Sequence, residues 1–250
     1  MKIILCGASG RMGKTVAEAA AEANEKIVCG VDLAPSPAPF PVYDSFANIK
    51  ESADVLIDFS SPQGLKERLM FCAAQNLPAV LGATGYSDSD LKLIEEYAAR
   101  LAIFKTGNLS IGVNLLQLLV KKAAQVLGDG FDAEIIERHH NQKKDAPSGT
   151  ALMLAKSVNE GFQDDRENVY GREGIVGARK KSEIGIHAVR GGNIVGEHEV
   201  MFAGQDEIIT LSHSARSRKI FANGALRAAK WLIGKPAGLY DMSDLLAGIV

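Results

Sequence analysis

The sequence predicts an α/β protein: a doubly wound parallel sheet built from both ends of the chain, with an α+β unit inserted between them. Three observations carry this. The first hundred residues alternate short β-rich runs with helical stretches, the pattern of parallel strands joined by crossover helices. A glycine-rich turn, Gly7-Ala8-Ser9-Gly10-Arg11-Met12-Gly13, separates the first apolar run from the first helical stretch. Beyond Asn108 the alternation stops, and a long helical segment precedes a different order of elements.

The elements follow from composition and period. Residues 2–6 (KIILC) read as a strand, 12–23 as an alanine-rich helix, and 27–32 as a second strand. Residues 34–43 (APSPAPFPVY) are too proline-dense for any regular element. A third strand spans 55–59, and Pro62 then opens a helix at its first turn, with Leu65, Leu69, Cys72 and Ala73 on one apolar face. Residues 79–82 form a short strand, 87–100 a helix capped by Ser87 or Asp88, and 101–105 another strand. The helix predicted at 110–127 carries Asn114, Gln117, Lys121 and Gln125 as one narrow polar stripe, so most of its circumference is expected to be buried. A strand at 132–137, a polar loop and a helix at 150–159 come next, and then 163–181, a polar stretch with little period. Residues 182–189, 193–202 and 207–213 read as three antiparallel strands, with Arg190-Gly191-Gly192 a hairpin turn, and 221–233 as the final helix. The expected domains are 1–108 with 220–250, and 109–219.

A chain of 250 residues buries a large core without disulfides or metal. Hydrophobic residues make up 46% and charged residues 23%, which excludes a disordered or fibrous chain. Lys+Arg 28 against Asp+Glu 30 leaves a net charge of −2, so no general positive field exists for a nucleic-acid backbone or an anionic membrane. Cys6, Cys29 and Cys72 have no metal spacing and no C-x-x-C pair, and are expected to be buried free thiols of a reducing compartment. MKIILCGASG is too short for a signal peptide, and no apolar run reaches the ~18 residues of a membrane span. A cytoplasmic protein without nucleic-acid or membrane partners is expected.

Small residues in the first glycine turn let the backbone approach a pyrophosphate resting on a helix N-terminus. Alone, G-x-x-G-x-x-G is equally an ordinary tight turn. Asp32 closes the second strand where a ribose-binding carboxylate is expected, and the two features together indicate a dinucleotide site. Arg11 and Lys14 stand beside the turn, either as phosphate contacts or as solvated charges. Gly82-Ala83-Thr84-Gly85 and Thr106-Gly107-Asn108-Leu109 also follow predicted strands, and so face the same crevice as a nicotinamide-side wall. The segment 134–151 (EIIERHHNQKKDAPSGTA) is the densest in chemistry. His139 and His140 suit acid–base work near neutral pH, and Lys143 and Lys144 suit a carboxylate or a developing anion. The backbone N–H groups of Ser148-Gly149-Thr150, at a predicted helix start, form an anion site. No H-E-x-x-H or Cys/His spacing suggests a metal.

GASGRMG, GATG, GNLSIGVN, ERHHNQKKDAPSGTA, GEHEVMFAG and SRKIFANGA occur in this order along essentially the whole chain. In this the sequence resembles the 4-hydroxy-tetrahydrodipicolinate (dihydrodipicolinate) reductases of the diaminopimelate route to lysine. The H-H-x-x-K-x-D-x-P-S-G-T-A block is the most specific part; the glycine turn is shared by many enzymes. The resemblance implies a Rossmann-like dinucleotide domain and an inserted substrate-binding and tetramerisation domain. It also implies NADH and/or NADPH as cofactor, a small dicarboxylate substrate, a homotetramer assembled through substrate-domain sheets, and no metal. It makes His139 the proton donor/acceptor and Lys143 the proton donor, with Lys144 outside the motif. His140, Gly149 and Thr150 become substrate contacts. Gly7, Ala8, Ser9, Gly10, Arg11, Met12, Asp32, Gly82, Ala83, Thr84, Thr106, Gly107, Asn108 and Leu109 become the cofactor site. Several relatives carry a basic residue after the acid at position 32, where this chain has Leu33, so use of both cofactors with NADH favoured is expected. Two rival readings are weaker. A short-chain dehydrogenase needs Tyr-x-x-x-Lys, and no tyrosine here has Lys four residues later. A regulatory dinucleotide-binding module needs no His-His-Lys cluster.

Overall fold

The computed structural model describes residues 1–162 and 164–247. Its first half runs β1 (Lys2–Cys6), α1 (Arg11–Glu22), β2 (Lys26–Val31), β3 (Val42–Tyr43), β4 (Val55–Asp58), α2 (Leu65–Ala74), β5 (Ala79–Leu81), α3 (Asp88–Ala98) and β6 (Ala102–Lys105). There follow α4 (Ile111–Leu127), β7 (Asp132–His139), α5 (Gly149–Gly161), β8 (Glu167–Tyr170), β9 (Glu183–Arg190), β10 (Gly196–Ala203), β11 (Ile208–Ala215), α6 (Lys219–Leu232), β12 (Gly238–Tyr240) and α7 (Met242–Ala247). Two compact units result, Met1–Ile111 with Arg218–Val250, and Gly112–Ser217.

In the first unit seven parallel strands lie in the order β3-β2-β1-β4-β5-β6-β12. This is the doubly wound order, and its switch point falls between β1 and β4. Strands covered on both faces read as continuous apolar runs, and β1, β4 and β5 are such runs. Leu5, Ile57 and Phe104 pack with α1 and α6 on one face; Ile4, Leu56 and Ile103 pack with α2 and α3 on the other. Cys6, Cys29 and Cys72 are free and buried in that second layer, where burial pushes the Cys29 and Cys72 thiols up to about 12.

The second unit holds a five-stranded mixed sheet, order β11-β10-β7-β9-β8. Residues alternate between buried and half-buried along β7 and β10, as expected for a sheet covered on one face. Leu116 and Val120 of α4 and Leu154 and Val158 of α5 pack with Ile135, Ile186, Val200 and Phe202.

Several expectations need correction. Val42–Tyr43 pairs with Gly30–Val31 as β3, because the prolines stop just short of it and Pro41 still offers its carbonyl to Gly30. Pro62 lies in a turn before α2, since the left-handed Gly64 stands between them and begins the helix at Leu65. In α4, Leu115, Leu118, Leu119 and Val126 stay exposed while Asn114 is buried, because a helix on one sheet covers one stripe and not most of its circumference. Residues Glu167–Tyr170 form β8 on the sheet edge, where strand pairing needs little apolar side chain. Arg190-Gly191-Gly192 is no hairpin, since β7 lies between β9 and β10 and pairs parallel to the one and antiparallel to the other. The helix at 219–232 is not the last element either: β12 joins the first sheet and α7 packs beside it. Among the described residues no helix is long and apolar enough to cross a membrane.

Candidate functional site

In the first unit the site is made of backbone. Gly7 has φ +75°, and a Cβ there would lie 2.8 Å from the Phe59 carbonyl and the Ser60 amide. A Cβ on Gly13 would collide with the Gly7 carbonyl, so small residues at both ends let the turn fold against the start of α1. Gly10 caps α1 without a side-chain bond. The Asp32 carboxylate accepts from the amides of Ser9 (2.9 Å) and Ala34 (3.1 Å), and Ser9 Oγ accepts from the Ser36 amide.

Two cavities open at the carboxyl ends of the strands. One, of about 300 Å³, is lined by Gly7, Asp32, Leu33, Asp44, Ser60, Glu67 and Arg68 among others. The other, of about 340 Å³, is lined by Arg11, Met12, Gly82, Thr84, Thr106, Gly107, Asn108 and Leu109, with Phe59, Arg218 and Phe221. Most of the predicted residues thus divide between two spaces, Ser9 and Gly10 line neither, and Ala8 and Ala83 are buried in support of the loops. Lys14 is exposed. Sequence reasoning missed Asp58 and Arg68, a buried pair 3.1 Å apart. Burial raises the Asp58 carboxyl against the opposing pull of Arg68. Arg68 also donates to the Ser61 carbonyl at 2.6 Å, so the guanidinium at this cavity is already committed.

In the second unit the site is made of side chains. The α5-facing row of β7 runs Ala133, Ile135, Glu137, His139, and that of β10 runs Phe202, Val200, His198, Gly196. Two apolar layers therefore give way to ionisable ones toward the end where α5 begins. Glu137 is fully buried and accepts from His139 Nδ1 (2.6 Å), the Ser148 amide (3.0 Å) and both terminal nitrogens of Arg190 (2.8 Å each). Burial alone would raise its carboxyl, but Arg190, His139 and Ser148 together hold it below the ordinary value. The His139 ring meets His198 edge-on at 5.1 Å. His198 Nε2 bonds Ser148 Oγ at 2.9 Å, and burial, then the charge at His139, lowers it to about 4, so it is neutral at physiological pH.

Lys143 Nζ rests on Asp145 at 2.9 Å in a mostly buried position, whereas Lys144 is exposed. His140 and Thr150 are half-buried and Gly149 is exposed. Ser148 departs from expectation: its amide is taken by Glu137, and its Oγ caps α5 by accepting from Ala151. The Ser148 amide is therefore spent inside the protein and is not offered to an anion at the start of α5. Glu137, Arg190 and His198 escaped the sequence reading. Glu137 was legible in principle, two residues from His139 on the same strand face; Arg190 and His198 are distant in sequence and meet it only through strand pairing.

A doubly wound sheet with a glycine turn at a helix N-terminus defines a Rossmann-type dinucleotide-binding unit, and the acid–base cluster beside it in the chain makes this an oxidoreductase architecture. Residues 1–109 match the family model described as dihydrodipicolinate reductase, N-terminus, and residues 112–246 match dihydrodipicolinate reductase, C-terminus. The chain belongs to the dihydrodipicolinate reductase family. It is 51% identical, over 98% of each chain, to the 4-hydroxy-tetrahydrodipicolinate reductase of Caldanaerobacter subterraneus subsp. tengcongensis. It is 45% identical to the enzyme of that name in Clostridium tetani, over 98% of this chain and 97% of the other. Among solved structures it is similar to a dipicolinate-bound dihydrodipicolinate reductase from Paenisporosarcina sp. TG-14, with TM-score 0.75 and 26% identity over 100% of this chain and 99% of that one.

Proposed function

We propose that this chain reduces 4-hydroxy-tetrahydrodipicolinate to tetrahydrodipicolinate, with loss of water, using NADH and/or NADPH held by the first unit and a dicarboxylate substrate held by the second. The observation that carries this reading is the His139 imidazole, fixed by Glu137, which also binds the Ser148 amide at the start of α5 and, through Arg190 and Asp145, is linked to the Lys143 ammonium. The glycine turn and the 340 Å³ cavity fit a dinucleotide: one needs backbone approach, the other a wall for a flat ring. When bound, the reduced nicotinamide supplies the hydride. The residues of the chain do the rest. The substrate is a cyclic imine whose 4-hydroxyl leaves as water, and hydride addition at C4 sends electrons toward the ring nitrogen. His139 and Lys143 hold the proton that this charge requires, and Asp145 holds the Lys143 side chain in place. His140 and the amides of Gly149 and Thr150 hold the two carboxylates.

The first cavity bears on cofactor choice. Asp32, Asp44 and Glu67 line it, Arg68 is committed to Asp58, and Leu33 is 87% exposed with no charge to offer. A 2′-phosphate ~5 Å from Asp32 at an effective dielectric of ~20 meets about 3 kcal/mol of repulsion per unit charge before screening. Arg11 lines the other cavity, which weakens its claim as a compensating cation. Both cofactors are used, with NADH favoured by kcat/KM. The uncovered face of the second sheet supports a homotetramer, which sedimentation would register; a cytoplasmic location is consistent with the three free thiols.

The experiment is a steady-state assay of the purified chain with enzymatically generated substrate and each cofactor, followed by loss of the nicotinamide absorbance. No turnover with either cofactor overturns the reading.

A further inference from the structure

We propose that Glu137 is the positioning residue of this site: its carboxylate sets the tautomer of His139 and, through Arg190 and the Ser148 amide, locks the loop carrying Lys143. This rests on the reading above, in which His139 moves a proton.

A carboxylate removed from water is costly unless its lone pairs are used, and those of Glu137 are met by four donors from three places. His139 comes from β7, Arg190 from the end of β9 directly opposite His139 in register, and Ser148 from the start of α5. Arg190 donates further to the Asp145 carbonyl at 2.7 Å, and Asp145 holds Lys143. One buried carboxylate thereby connects both proton-moving candidates.

With Nδ1–H donated to Glu137, a neutral His139 carries its lone pair on Nε2. An added Cβ at Gly196 would lie 3.0 Å from Nε2, so a side chain at position 196 would press on the lone-pair edge of the ring. The charged and titratable groups around the ring are Glu137 on its own strand, Arg190 on β9, His198 on β10 with His213 paired to it on β11, and Lys143 with Asp145 in the loop. Of these Glu137 alone touches Nδ1 with a negative charge, and it stabilises the imidazolium.

The test is nitrogen-15 NMR of the histidines, with pH–rate profiles, in the wild-type chain, Glu137→Gln and Glu137→Asp. Wild-type His139 is expected as the Nδ1–H tautomer. Glu137→Gln should change the His139 ring nitrogen-15 shifts, move the acidic limb of kcat/KM, and reduce kcat roughly 10²–10⁴-fold, near the loss seen when the orienting carboxylate of a Ser-His-Asp triad is neutralised. NADH affinity should not change, and Glu137→Asp should recover part of both effects. An Nε2–H tautomer in the wild type overturns the proposal, as does a Glu137→Gln protein with unaltered titration and rate. If Glu137→Gln fails to fold, the wild-type tautomer decides. The NMR readout needs no substrate, so absent turnover in the wild type would refute the proposed reaction while leaving Glu137's hold on His139 separately measured.

Discussion

The two candidate sites of this molecule are built from opposite materials. In the first unit the glycine turn, the start of α1 and two loops present main-chain groups and small residues, and a buried ion pair, Asp58–Arg68, braces a wall. In the second unit the site is a bonded network of polar groups, the side chains of Glu137, His139, Arg190 and His198 joined through Ser148, at the end of a sheet whose other layers are apolar. Backbone suffices to bind a large, invariant anion, because amides and a helix terminus supply donors wherever the chain can come close. Proton transfer needs groups whose charge can change, and these must be held by partners that keep them solvent-poor yet satisfied. The first site should therefore fail when bulk is added, the second when a charge is removed.

The largest effect is expected at Lys143. Lys143→Ala should lower kcat roughly 10²–10⁴-fold, the range for loss of a general acid, while a fluorescence titration finds NADH affinity unchanged. Lys144→Ala should be nearly neutral, and equal losses at both lysines would show the proton donor to be misplaced.

Acid stability separates the regions next. The folded-state value of His198 is depressed from 6.5 to about 4, so its contribution is complete above pH 6.5 and is lost as pH falls toward 4, because the unfolded chain takes up the proton first. Up to about 3 kcal/mol is involved. Urea unfolding across that window should show the slope in the wild type and a shallower one in His198→Leu; identical slopes would place the acid sensitivity elsewhere.

Adding bulk to the first site should displace the glycine turn and so disturb the first unit while sparing the second. Gly13→Val should weaken NADH roughly 10–100-fold, the cost of about 1–3 kcal/mol of overpacking, and calorimetry should find pyridine-2,6-dicarboxylate binding retained. Joint loss of both ligands would erase the distinction between the two sites. The smallest effect concerns cofactor choice: Leu33→Arg should improve kcat/KM for NADPH about tenfold with little change in maximal rate. Asp32→Ser is a blunter probe, since Asp32 also holds the Ser9 amide. A wild-type enzyme favouring NADPH tenfold would refute the electrostatic argument.

The parallel sheet was legible because its strands are local, apolar and punctuated by glycine turns; periodicity and turn chemistry both report on nearest neighbours in the chain. Asp32, His139 and Lys143 could be picked out for the same reason, each standing at a fixed offset from a turn or within one dense motif. The errors share a cause. Strands β9 and β10 follow one another in sequence and alternate as a hairpin would, yet β7 lies between them, a choice made by side-chain packing across the sheet. Edge strands β3, β8 and β12 are held by main-chain bonds to a neighbour, and so leave little mark on residue pattern.

By itself, then, the sequence determined the fold class, the glycine turn with its acid, and the histidine–lysine motif, because each depends on residues a few positions apart. Tertiary structure alone decided that Arg190, 53 residues beyond Glu137, and His198 close around His139, and that Ser148 turns its amide inward. Those contacts arise from strand register, and register is set by the burial of whole faces, which no short stretch of sequence contains.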